Sequence, residues 1–196
     1  MKTSYRGPAI DDPQLLNRLP HDLAVALRTE NGFIAVDGGL HVRGACLNPK
    51  WHSMHAAWEG EFALYRLYES VKDNDIPWAE DCFGDQYLIR DGSVVRLSGE
   101  TGDIEKTQRT WPEFLSLVEE DPIEFLQLAH FEHFRKGGGA LAPGQLLSVY
   151  PPFVAAECVN PSLRPVPALE LRAFLGDFAR QIEKVSDGQK VRIVVR

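Results

Sequence analysis

Long apolar runs are missing from this sequence. No stretch approaches the roughly 18 uninterrupted apolar residues that a membrane-spanning helix needs, and the opening residues, MKTSYRGPAI, lack the apolar centre of a secretory leader. A soluble, cytoplasmic protein with no membrane contact is the expectation. Cysteine is scarce too. Cys46, Cys82 and Cys158 are odd in number, far apart and without a CxxC pair, which excludes a disulfide framework and a zinc knuckle and leaves buried reduced thiols. Catalytic signatures are equally thin. There is no GxSxG elbow, and Gly137-Gly138-Gly139 follows a helical pattern instead of opening one, so it offers no helix N-terminus to a phosphate. No cofactor fingerprint is present, and none is expected.

Positive charge is in short supply, with 21 Lys and Arg against 28 Asp and Glu and a formal net charge of −7. The deficit is local. Residues 73–124 hold 14 acidic and 4 basic side chains, so the rest of the chain is mildly basic. Such a field repels phosphate backbones and argues against direct nucleic-acid binding. It would attract a basic protein and raise its encounter rate roughly 10- to 1,000-fold at low salt.

What is present fits one domain: 196 residues, 44% hydrophobic, enough to bury a core. The clearest local signal is Gln86–Arg90 and Ser93–Leu97, two β-rich runs separated by Asp91-Gly92, a dipeptide that accepts the positive φ angles of a tight hairpin. A third strand follows near Ile104–Thr107. A helix opens at Leu19-Pro20 and ends at Asn31-Gly32, and Phe33–Val36 and Leu40–Arg43 form a hairpin across Asp37-Gly38-Gly39. Trp58, Phe62, Tyr65 and Tyr68 recur at helical spacing and predict one helix from about His55 to Val71 with an aromatic face in the core. Thr110 with Glu113, and Asp121-Pro122 with Glu124, have the form of capping boxes and predict helices over Trp111–Glu119 and Pro122–Arg135. Residues 140–167 carry six prolines and read as an extended connection with a strand at Leu146–Tyr150. Leu171, Phe174, Leu175, Phe178 and Ile182 mark a final amphipathic helix, and Val191–Val195 a terminal strand.

Candidate chemistry lies in three places. His52, His55 and Glu59 would share a helical face, as would His130 and His133, and a metal-dependent hydrolase could be built on such pairs. The order lacks HExxH, however, and His130 falls on the apolar face, where a hydrogen-bonded core residue is expected. No metal site is assigned. Asp73, Asp75, Glu80, Asp81 and Asp85 form the third group. Their spacing is not that of a calcium loop, and Pro77-Trp78 interrupts it. The stretch Ile76–Asp85 therefore reads as a charged, proline-fixed edge that meets a basic partner, with Asp75, Trp78, Glu80, Asp81 and Asp85 as its contact residues.

The order of a Leu19-Pro20 helix closing at Asn31-Gly32, then Ile76-Pro77, Phe83-Gly84-Asp85 and a hairpin, then a helix entered at Trp111–Leu115, resembles the SUKH superfamily. That group includes the fungal cell-wall assembly regulator and many bacterial immunity proteins. The resemblance spans about Leu19 to Leu126. Trp78 departs from the smaller apolar residue common after the proline, and the chain from Gly137 onward exceeds the usual core.

The resemblance implies an α+β fold: a mixed, mainly antiparallel sheet with helices packed around it, the SUKH-like core being residues 15–136 and a C-terminal helix-strand extension, residues 137–196, packing on that core. It implies binding without catalysis, most directly the neutralisation of a nuclease-type polymorphic toxin. The alternative of the same type is a regulatory or scaffolding protein-interaction module.

Overall fold

A computed structural model describes residues 1–186, 188 and 189. The strand expected at Val191–Val195 lies outside the described residues. The architecture is α+β. Seven strands, β1 (Thr3–Arg6), β2 (Phe33–Ala35), β3 (Leu40–Val42), β4 (Ile76–Asp81), β5 (Gln86–Arg90), β6 (Ser93–Leu97) and β7 (Ile104–Arg109), pair antiparallel in strict sequence order. A meander of this kind needs only short reversals. At the β5–β6 reversal Asp91 and Gly92 both adopt positive φ, 52° and 80°, as the sequence predicts for a primed turn. Two of these seven strands were not foreseen. β1 arises from the N-terminal arm, and β4 makes the supposed edge of the chain a central strand.

Alternation sorts the side chains onto two faces. Tyr87, Ile89 and Val94 join one core with Trp78, Ala79, Phe114 and Val118, while Leu88, Val95 and Leu97 join a second with Leu64, Leu67, Tyr68 and Ala179. Helices α1 (Pro13–Leu16), α2 (His21–Thr29) and α5 (Trp111–Glu120) contribute to the first core. α5 begins with the expected reciprocal capping of Thr110 and Glu113. Helices α4 (Leu64–Leu67) and α8 (Ala168–Ile182) contribute to the second.

Two predicted helices are broken. The aromatic run after His55 is α3 (Met54–Trp58), a turn, and α4, the break falling at Glu59-Gly60. The run from Pro122 is α6 (Pro122–Phe125) and α7 (Ala129–Lys136), interrupted where Gln127 takes φ 57°. Residues 140–167 hold a second sheet, β8 (Gln145–Tyr150) paired antiparallel with β9 (Ser162–Pro167). This sheet and α8 meet the seven-stranded core directly: Leu147 N donates to Cys82 O at 2.7 Å, and Arg172 of α8 reaches Glu80 of β4. Among the described residues no helix is long and apolar enough to cross a membrane.

One irregularity decides where the charges go. β4 pairs with β5 through Ile76–Ile89, Pro77–Leu88, Ala79–Tyr87 and Glu80–Gln86, so Trp78 has no partner and forms a bulge. The bulge also accommodates Pro77, whose missing N–H a regular central strand would tolerate poorly. Trp78 and Ala79 consequently both enter the first core, with Trp78 edge-on to Phe114 at 5.6 Å, and Glu80 is displaced to the opposite face beneath α8.

Candidate functional site

Cross-strand register builds the site. His41 of β3 lies opposite Glu80 of β4, which lies opposite Gln86 of β5, placing three polar side chains in one row across the middle of the sheet. Arg43 stands two residues beyond His41 on the same face, and α8 lowers Arg172 onto the row from above. All five are buried.

Glu80 is the hub. Its Oε2 accepts from Arg43 Nη2 at 2.7 Å, Gln86 Nε2 at 3.0 Å and Arg172 Nη2 at 3.0 Å, and its Oε1 lies 2.9 Å from His41 Nδ1. Arg43 Nη2 also donates to Gln86 Oε1 at 2.5 Å, and its Nη1 to the carbonyls of Pro77 and Ala79. Burial alone would raise the Glu80 pKa, but Arg43 and Arg172 outweigh it and hold the carboxyl well below its usual range. Two guanidiniums face one carboxylate, and Arg43 Nε and Arg172 Nε and Nη1 find no partner among the described residues.

The row continues outward. His41 Nε2 lies 2.8 Å from His52 Nδ1, and His52 Nε2 lies 2.9 Å from the backbone carbonyl of Asn31. The His52 ring fits because Gly7 and Gly44 flank it: a Cβ on either would fall 2.4 or 2.7 Å from its Nε2. Burial lowers the pKa of both rings, that of His52 to about 4. A cavity of about 90 Å³ opens beside them, with His41, Glu80, Trp51, Leu141 and Gln145 in its wall.

The five residues expected on a charged edge are placed otherwise. Trp78, Glu80, Asp81 and Asp75 are buried and Asp85 is half-buried, so β4 presents no acidic surface; it is a central strand covered on both sides. Asp75 accepts from Arg90 Nε and Nη2 at 2.8 and 2.6 Å. Asp85 accepts from Arg96 Nε and Gly99 N, both at 2.8 Å. Asp81 accepts from the backbone N–H of Phe83 and Asp85 and from Tyr87 Oη, and burial followed by the Asp85 charge pushes its pKa up to about 8.

The histidine pairs also part company. His55 turns to Asp12 at 3.1 Å and Glu59 to Arg18 at 2.5 Å, away from His52. His130 is half-buried against the Phe153 ring instead of sitting in the core, and His133 is exposed. Cys46 and Cys82 are buried free thiols with pKa values raised by burial, while Cys158 is half-buried.

Arg43, Arg172, His41 and Gln86 were missed as site residues. The signal was faint but present: Leu-His-Val-Arg at 40–43 alternates apolar and polar, and Arg172 interrupts the apolar stripe of α8.

No protein-family model and no curated protein matches the chain. Among solved structures, the crystal structure of Atu4351 from Agrobacterium tumefaciens is similar, with a TM-score of 0.54 and 16% identity over 87% of this chain and 81% of that one. The likeness is one of fold.

Proposed function

We propose that this chain is a non-enzymatic protein-binding domain of the SUKH type, an immunity protein that neutralises a basic, nuclease-type toxin. The observation that carries the reading is where the acidity remains once the buried carboxylates are set aside. Asp103 and Glu105 at β7, Glu113, Glu119 and Glu120 on α5, and Asp121 and Glu124 at the start of α6 are all exposed. They occupy a continuous stretch of chain that α5 packs along β7 and α6. The recognition surface is thus this shoulder, and not β4. A basic face that ordinarily holds phosphate complements such a surface.

The central cluster supports the same reading. Glu80, His41 Nδ1 and His52 Nε2 are engaged with neighbouring groups, so the side chains best suited to acid–base chemistry are used to hold strands, loop and helix together.

A second reading, a scaffolding module, is favoured by the connection between β8 and β9, where Tyr150, Phe153, Val154 and Val159 are exposed. The two are separated by capture from native cell extract at low salt, using the intact protein and the Glu105→Lys, Glu120→Lys, Glu124→Lys triple variant as bait. Immunity through the shoulder predicts a basic protein that binds the first and not the second. An identical catch from both baits removes the shoulder from the account.

A further inference from the structure

The contacts running from Glu80 to Asn31 can be counted in protons. A carbonyl oxygen only accepts, so His52 Nε2, 2.9 Å from Asn31 O, carries a hydrogen. Glu80, ionised against two guanidiniums, also only accepts, so His41 Nδ1 at 2.9 Å carries another. With both rings neutral, no hydrogen remains for the third contact. His41 Nε2 and His52 Nδ1 then face each other at 2.8 Å as two lone pairs. One proton completes the chain, and a second cannot enter, because it would set two N–H groups head to head.

We infer that His41 and His52 form a one-proton site, in which a single proton is bound between His41 Nε2 and His52 Nδ1 and both rings titrate as one group. Repulsion between the facing lone pairs favours uptake, while the surroundings oppose it. Arg43 beyond β3 and Arg172 from α8 bring positive charge, Glu80 from β4 a compensating negative charge, and Tyr5 from β1 and Trp51 pack tilted or edge-on against the rings at 5.2–5.4 Å. Burial acts in the same direction as the guanidiniums, so loading occurs on the acid side of the ordinary imidazole range. The cavity beside His41 supplies the route for the proton.

Loading changes what the pair does mechanically. The backbone carbonyl of His52 accepts from Gly44 N at 3.0 Å, and its ring reaches from that segment to His41 of β3. With the proton in place, β4, β3, this segment and the end of α2 are joined by three consecutive hydrogen bonds. Without it the middle link is repulsive. The site is therefore a pH-sensitive latch between the sheet and the wall of the cavity.

Nitrogen-15 NMR of the intact protein with labelled histidine tests this, the signals being assigned through His41→Gln and His52→Gln or, should those not fold, by triple-resonance experiments on the wild type. The expected result is one shared midpoint for both rings, a total uptake of one proton, a permanent hydrogen on His41 Nδ1 and His52 Nε2, and a strongly deshielded proton between the rings. Separate midpoints with one proton per ring would overturn the inference, as would the absence of any titration down to the pH at which the protein unfolds.

Discussion

Glu80 and Asp81 are adjacent in sequence, equally buried, and opposite in state. Glu80 faces α8 and is held as a carboxylate by guanidiniums from two distant elements. Asp81 points the other way, into the turn before β5, where its partners are two backbone amides and a phenol and the nearest carboxylate is Asp85. Its pKa rises to about 8, so at neutral pH it carries a proton. The difference teaches that burial does not settle the form of a carboxyl; the charge of what is buried with it does.

Removing Glu80 breaks the comparison most severely. Glu80→Ala leaves two guanidiniums uncompensated in the interior, a loss of about 3–5 kcal/mol of stability, read from urea unfolding at neutral pH. A loss under about 1 kcal/mol would mean that Arg43 and Arg172 are satisfied without Glu80.

Acid acts on the same face with the next largest effect. Both histidines have folded pKa values below their unfolded ones, so the unfolded chain binds more protons and stability falls as pH drops below the unfolded value of about 6.5. Two unfolded imidazoles take two protons where the folded pair takes one. The pair's expected contribution to the slope is therefore at least about 1.4 kcal/mol per pH unit from roughly pH 6 towards pH 4, measured by denaturation at stepped pH in an Asp81→Asn background, where the opposing contribution of Asp81 is removed.

Asp81 runs in the opposite sense. Its folded pKa is raised, so the folded chain keeps a proton that the unfolded chain has released, and this residue's contribution declines as pH rises from about 4 to about 8. Asp81→Asn preserves the shape without the ionisation. It is expected to remove a downward slope of up to about 1.4 kcal/mol per pH unit between about pH 4 and about pH 8, flattening the profile above about pH 6 and steepening the fall below it. An unchanged profile between about pH 6 and about pH 8 would assign that dependence to another group.

The smallest effect belongs to the exposed shoulder. Reversing Glu105, Glu120 and Glu124 is expected to move stability by no more than about 0.5 kcal/mol per site while abolishing capture of a basic partner. A carboxylate in water can be exchanged at little cost to the fold, which is what a recognition surface requires.

Much of the sheet could be read directly. The β5–β6 hairpin, the β2–β3 pair, β7 and the reciprocal cap of α5 all rest on interactions within a few residues, and sequence pattern reports those well. The site was harder. Glu80 stood out as a charge, but its fate depends on Arg43 and Arg172, which lie 37 and 92 residues from it along the chain. Spacing has no access to such partners, and Ile76–Asp81 therefore looked like a solvated edge. The broken helices failed for a different reason: the aromatic stripe continued through Gly60, and the line of Ile123, Leu126, His130 and Phe134 past Gln127, where the backbone turns.

The bulge at Trp78 has a consequence beyond geometry. It sets the parity of β4, so that residues before it and after it count from different origins. Pairing the same length of strand without the bulge would swing Glu80 towards the aromatic core and present Asp81 to Arg43 and Arg172, whereas deleting the one extra residue would leave Glu80 opposite Gln86. A substitution here damages one contact, whereas loss of the bulge at constant length exchanges the two faces. The bulge is thus a constraint in its own right, one that a comparison scoring residue identity alone would not register.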